Sequence, residues 1–101
     1  MFIAVTTIKL KPSSIDAFLR LFQETNPGLV ADQPDWIGAE VVADTSTDTV
    51  TVLARWKKAE SYRAYTASER FRSTMARFAE YFEDRPEIRV LERLWHMGRI
   101  E

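Results

Sequence analysis

VTVLARW, residues 50–56, is the stretch that decides the fold, together with the helical pattern that follows it at 57–82. The heptapeptide alternates apolar side chains along one face and predicts a strand that ends in a tryptophan. The later part predicts a helix, because its apolar residues recur at helical spacing: Phe71, Met75, Phe78 and Phe82. Between them, Tyr62 and Tyr65 lie in AESYRAYTAS (59–68). These aromatic residues either line one apolar pocket or form the core of a small domain.

A strand and a helix precede this stretch. Phe2–Leu10 is rich in β-branched residues and predicts a strand with apolar side chains on both faces. Ser13 with Asp16 resembles a capping box at the start of a helix. The apolar stripe of that helix is Ile15, Phe18, Leu19 and Phe22. The sequence Asn26-Pro27-Gly28 predicts a kink or a break in this helix, after which residues 29–32 restart as a short helix.

The remaining elements are strands. Trp36–Ala43 and Thr49–Trp56 flank the polar loop Asp44–Asp48 and predict a hairpin, and Glu87–Met97 predicts the last strand. The order strand, helix, strand, strand, helix, strand predicts a ferredoxin-like α+β fold, βαββαβ, with a four-stranded antiparallel sheet and both helices on one face. We expect residues 1–101 to form one such domain.

The strands are too apolar for a sheet with one exposed face. A half-exposed antiparallel sheet alternates cleanly between apolar and polar residues. Here Leu53, Ile8 and Leu10 are expected on the face opposite the helices. This pattern predicts a homodimer in which the two sheets face each other.

Composition excludes several classes of partner and site. Fourteen basic and fifteen acidic residues give a formal charge of −1, so neither nucleic acid nor an anionic membrane is an expected partner. The chain has no cysteine and only one histidine, His96, which argues against a metal site. His96 is expected to be structural. The N-terminal residues carry no charged leader, so we expect a mature, cytoplasmic protein.

Three motifs carry a family resemblance: VLARWK (52–57), the Y-x-x-Y-x-x-S-x-x-F spacing (62–71), and PDW (34–36), where the family often has Pro-Gly-Phe. They resemble the antibiotic biosynthesis monooxygenase domain, and with the element order the resemblance extends over about residues 2–97. It implies a dimeric α/β barrel with a ligand cleft between helices and sheet in each subunit. It also implies a cofactor-independent monooxygenase that oxidises an aromatic, polyketide-like or quinol substrate with molecular oxygen.

In the family's anthrone oxygenases an asparagine, a tryptophan and an arginine are associated with catalysis. The tryptophan matches Trp56, whereas Val52 stands at the asparagine position. Arg72 and Arg77 are the candidates for the arginine, and a helical wheel favours Arg72. The resemblance therefore implies Trp56, Arg72 and Tyr65 as catalytic residues. The implied substrate-binding residues are Tyr62, Val52, Thr7, Met75 and Phe78.

Other functions of the superfamily fit the sequence differently. The haem-degrading branch uses residues whose matching positions here are Thr7, Tyr65 and Met75, and all three are changed. Haem degradation is therefore disfavoured, and no cofactor is expected. The replacement of the asparagine by Val52, and the absence of an obvious base, favour an alternative. In it, the protein is a non-catalytic or isomerase-type dimer of the same fold that binds a small aromatic ligand.

Overall fold

The computed structural model describes residues 1–99. Its strands are β1 (Phe2–Lys9), β2 (Trp36–Asp44), β3 (Thr49–Trp56) and β4 (Glu87–Glu92). Its helices are α1 (Ile15–Val30), α2 (Ala59–Thr66) and α3 (Glu69–Ala76), followed by a 3₁₀ turn at Ala79–Tyr81. The strands form one antiparallel sheet in the order β2-β3-β1-β4, which confirms the predicted ferredoxin-like class.

The helix-facing side of the sheet carries the core. Ile8 on β1 lies opposite Val50 on β3, and both are at most 4% exposed. They pack with Leu10 and Phe18 in one buried cluster. The prediction that Ile8 and Leu10 lie on the opposite face was therefore wrong. The reason is the register, which places the even-numbered residues of β1 on the same face as Val50 and Trp56.

The opposite face of the sheet is open in the single chain. Leu53 lies on it, as predicted, directly across from Val5. Val42 is 47% exposed and Leu91 42% exposed on the same face. Arg55 lies on the same face and donates to the carboxylate of Glu40 at 3.2 Å.

Helix α1 continues through Pro27 to Val30, so the predicted break at 26–28 was wrong. An interior proline costs a helix about 3 kcal/mol. Continuing the helix buries Leu29 beside Trp56, in the second core cluster, and this burial offsets the cost. Arg70 on α3 also donates to the carbonyl of Gly28 at 2.9 Å, which satisfies one of the last carbonyls of α1.

The predicted capping box at the start of α1 was wrong as well. Ser14 occupies the N-cap, and its side chain makes no capping hydrogen bond. Ser13 instead adopts a positive φ of 63°, in a turn where the Ser14 N–H donates to the Lys11 carbonyl at 3.2 Å. This turn moves the start of the helix by one residue, so Asp16 no longer stands three residues after the cap.

The helical pattern at 57–82 forms two helices rather than one helix reaching Phe82. Ser68 begins α3, because its Oγ accepts a hydrogen bond from the Phe71 N–H at 3.2 Å. The same hydroxyl donates to the Tyr65 carbonyl at 2.7 Å, which closes the end of α2. α3 ends at Ala76, and Phe78 is buried from the turn beyond it.

Strand β4 ends at Glu92 instead of the predicted Met97. Glu92 pairs with Phe2, the first residue of β1, and the Arg93 N–H donates to the Met1 carbonyl at 3.0 Å. Beyond this point β1 offers no further backbone to pair with. The next apolar residues are therefore exposed: Leu94, Trp95 and Met97.

Replacing Leu10 by Ala should lower the free energy of unfolding by about 2–5 kcal/mol, because it removes a side chain packed in the helix-side core. Leu10 is only 1% exposed. Urea denaturation measures the loss. The exposed neighbour provides the control, since Lys11→Ala should change stability by less than about 0.5 kcal/mol. Equal losses in the two variants would contradict the placement of Leu10.

Candidate functional site

A cavity of about 520 Å³ lies between the helix-facing side of the sheet and the helices. This volume is typical of small-molecule sites. The centre of the sheet contributes small side chains to its floor, namely Ala4, Thr6 and Ala54, so space is left beneath the helices. The walls are mainly apolar and rich in aromatic rings. No carboxylate, ammonium, guanidinium or imidazole group lines the cavity within residues 1–99.

Trp56 forms the inner wall of the cavity at the end of β3. It is 1% exposed, and its ring centroid lies 5.9 Å from that of Tyr62 and 5.1 Å from that of Tyr65. The chain returns over the tryptophan because the turn is fixed at Asp35. The Lys57 N–H donates to the Asp35 carbonyl at 2.8 Å, and the Ser61 hydroxyl donates to its carboxylate.

The indole Nε1–H of Trp56 is buried without a hydrogen-bond partner. It is the only such side-chain nitrogen or oxygen in the part of the chain that the structure describes. Leaving a buried donor unpaired costs about 1–3 kcal/mol. The tryptophan ring therefore keeps its place in the wall of the cavity despite this cost.

Two tyrosine hydroxyls are the only ionisable groups in the lining. Burial raises the pKa of Tyr65 to about 12, an effect that the positive charge of Arg70 partly offsets. Burial also raises the pKa of Tyr62, and the Thr6 hydroxyl opposes part of that rise. Both phenols therefore stay protonated at neutral pH, so the tyrosines add no charge to the cavity that they line.

The structure brings together most of the site residues expected from sequence. The cavity is lined by Trp56, Tyr62, Tyr65, Val52, Met75 and Phe78. Thr7 does not line it, because Thr7 pairs with Thr51 on the open face, and Thr6 takes its place. Arg72 is exposed on α3 and does not line the cavity either. His96 is exposed after β4, away from the cavity lining.

The sequence profile of the antibiotic biosynthesis monooxygenase family matches residues 1–77. The chain belongs to this family. A search of the curated proteins finds no match to the sequence.

Solved structures share the family's fold with this chain. SnoaB, a cofactor-independent oxygenase from Streptomyces nogalater, is 14% identical with a TM-score of 0.81, and the match covers 97% of each chain. Rv0793 from Mycobacterium tuberculosis is 10% identical with a TM-score of 0.77, covering 96% of this chain and 98% of that one. A conserved protein from Methanosarcina mazei is 18% identical with a TM-score of 0.78, covering 91% of each. At these identities the similarity concerns the fold.

Sequence reasoning missed the α1 side of the site in this family member. Phe22, Gln23, Asn26, Pro27 and Val30 all line the cavity. The sequence does contain a pattern that indicates it, because positions 22, 26 and 30 follow each other at intervals of four residues and share one helix face. It was lost because the proline was interpreted as a break in the helix.

Residues 1–99 contain neither a candidate metal site nor a candidate membrane-spanning helix. No group of three or more His, Cys, Asp or Glu side chains is arranged to hold a metal ion there. In the same range, no helix has the length and apolar composition needed to cross a membrane.

Replacing Tyr65 by Phe should make the protein less sensitive to alkali. The folded-state pKa of Tyr65 is about 12 against an ordinary value of 10.0, so the unfolded chain loses this proton first. The stabilising contribution is therefore complete below about pH 10 and is lost as pH rises towards 12. Urea denaturation of parent and variant across that range measures the difference.

The control for this prediction is the same pair of proteins between about pH 7 and 9, where the phenol is protonated in both states. Their difference in unfolding free energy should be constant there. A parent and a variant that lose stability equally above pH 10 would show that Tyr65 is not buried as described.

Proposed function

We propose that this protein is a cofactor-independent monooxygenase that oxidises an uncharged aromatic, polyketide-like or quinol substrate with molecular oxygen. The observation that carries the proposal is the cavity of about 520 Å³, whose walls are aromatic and whose lining holds no charged side chain. A dry, apolar site excludes water from a reactive intermediate and favours a flat, neutral ring system. Membership of the monooxygenase family supports the same reaction class.

The reaction needs no external reductant for such a substrate. When an anthrone becomes an anthraquinone, its methylene carbon loses two hydrogens and gains one oxygen atom as a carbonyl. The second oxygen atom leaves as water with those two hydrogens. The substrate therefore supplies all four electrons that reduce the oxygen molecule.

In this proposal the protein binds and orients the substrate. Trp56 provides a flat aromatic wall against which a substrate ring can pack. The protonated hydroxyls of Tyr62 and Tyr65 donate to charge that develops on the substrate during oxidation. Met75, Phe78 and Val52 complete the apolar contact. Arg72, which is exposed outside the lining, has no part in this arrangement.

The second candidate function is ligand binding without oxidation, or with isomerisation. One observation favours it: the lining offers no group that ionises near neutral pH and could accept the substrate's proton. Haem degradation is not proposed, since Thr7 lies outside the lining and Met75 belongs to an apolar wall.

Oxygen uptake with 1,8-dihydroxyanthrone at neutral pH separates the two functions. We expect uptake above the uncatalysed rate, with one anthraquinone formed per oxygen consumed. Trp56→Phe should lower kcat/KM by about tenfold, because it removes ring area from the wall against which the substrate packs. Trp95→Phe is the matched control, since Trp95 is 78% exposed, and it should behave as the parent.

Binding of the anthrone without oxygen uptake above the buffer rate would contradict the oxygenase function and support the second candidate. Equal rates of oxygen uptake for the parent and for Trp56→Phe would show that Trp56 has no part in the site.

We further propose that the protein forms a homodimer through the open face of the sheet, as the resemblance to the family implies. Half-buried Val5 and Leu53 lie at the centre of that face, with exposed Val42 and Leu91 around them. A two-fold axis through such a patch makes it self-complementary.

Sedimentation at micromolar concentration should give about 23 kDa, twice the chain mass of 11.7 kDa. Val5→Lys should yield a folded monomer, because it places a charge in the centre of the interface while the helix-side core is unchanged. Ala76→Lys, on the exposed surface of α3, is the control and should leave the mass at the dimer value. A folded monomeric parent would contradict the homodimer.

A further inference from the structure

Two polar residues of α1 line the cavity, and one of them, Asn26, interrupts an apolar stripe of the helix. Phe22, Asn26 and Val30 follow each other at intervals of four residues and all line it. Phe22 packs against the cluster around Phe18, whereas Val30 packs against the cluster around Trp56. Asn26 therefore lies between the two apolar clusters and is half-buried. A polar residue in the centre of such a stripe costs stability unless a partner compensates it.

The hydrogen bonds of Asn26 hold its amide in place. Its Nδ2 donates to the Thr25 Oγ1 at 3.2 Å, and that hydroxyl donates to the Leu21 carbonyl at 2.8 Å. The carbonyl oxygen of the same amide, Oδ1, has no partner among the described residues. The amide of this lining residue thus keeps an acceptor available for a bound molecule.

A second acceptor lies one turn earlier on the same wall. Pro27 has no N–H, so the main-chain carbonyl of Gln23, four residues before it, lacks its usual helical donor. Gln23 and Pro27 both line the cavity beside Asn26. The proline therefore frees one more acceptor at the site.

We propose that Asn26, together with the Gln23 carbonyl, binds a phenolic hydroxyl group of an uncharged aromatic ligand and so determines specificity. A hydroxyl donates to these acceptors, whereas a phenolate cannot. The inference rests on the proposed function, which supplies the aromatic occupant. Asn26 is the only asparagine of the chain, and it approaches the cavity from α1 rather than from the strand position held by Val52.

The charges around the cavity agree with selection of the neutral form. The titratable groups of the lining are the hydroxyls of Tyr62 and Tyr65, both protonated at neutral pH. Arg70 on α3 and Asp32, two residues after α1, form an ion pair at 3.1 Å, and neither residue lines the cavity. A ligand anion would be desolvated in this cavity without a cation to pair with.

Equilibrium dialysis with 1-naphthol and naphthalene at neutral pH tests the proposal. The two probes differ by one hydroxyl group, so the ratio of their dissociation constants isolates its recognition. We expect the parent to prefer 1-naphthol by about tenfold. Asn26→Leu should reduce this preference at least about fivefold, and the dissociation constant for naphthalene should stay within about twofold.

The matched control is Gln33→Leu, which also exchanges an amide for leucine but lies outside the cavity lining. It should keep the parent's preference. Asn26→Leu is expected to fold, since leucine extends the apolar stripe and favours helix. A variant that keeps the full preference would overturn the role of Asn26.

A measurement on the parent alone provides an independent test. Dialysis of 1-naphthol at rising pH should show binding weakened by at least about tenfold once the phenol ionises, before the pKa of Tyr65 at about 12 is reached. Equal binding of phenol and phenolate would overturn the inference. A parent that binds both probes without preference would overturn this inference alone, whereas a parent that binds neither would overturn the proposed function with it.

Discussion

The burial of Trp56 at the end of β3 is the packing interaction on which the rest of the structure depends. Because its ring is covered by Tyr62 and Tyr65, the chain must reverse directly after the strand. Covering an indole of 150–250 Å² is worth roughly 4–6 kcal/mol at about 25 cal/mol per Å². Helix α2 has only eight residues and could not be stable alone, so this contact is what makes it form. The same contact fixes where α3 begins and which residues it presents to the sheet.

The cavity is a consequence of how this cover is built. Two short helices, broken at Ser68, replace one long helix over the sheet. Beneath them, the central strands carry Ala4, Thr6 and Ala54, which are too small to fill the space. The core therefore divides into one cluster around Trp56 and another around Phe18 and Phe78. Met75 contacts both clusters, and the cavity lies between them.

The chemistry of the cavity follows from its lack of charge. In an apolar lining, any ion must be desolvated without a counter-ion, so neutral ligands are favoured. The polar residues that line it are uncharged at neutral pH: Thr6, Gln23, Asn26 and the two tyrosines. Such groups orient a neutral ring and stabilise charge that develops only during reaction. A reaction in which the substrate supplies its own electrons fits this environment better than one that needs a strong base in the wall.

The sequence by itself determined the order of elements and part of the cavity wall. The alternation along β3 and the spacing of the aromatic residues that follow it depend only on neighbouring residues, so Trp56, Val52 and the tyrosines could be assigned to one site. Only the tertiary structure decided the strand register, which exchanges Thr7 for Thr6 and moves Ile8 into the core. It also decided that α1 continues past its proline, because the burial of Leu29 that offsets the cost is a contact between distant parts of the chain. For the same reason Asn26 was missed: a local pattern gives the periodicity of a side chain, whereas long-range packing decides what it faces.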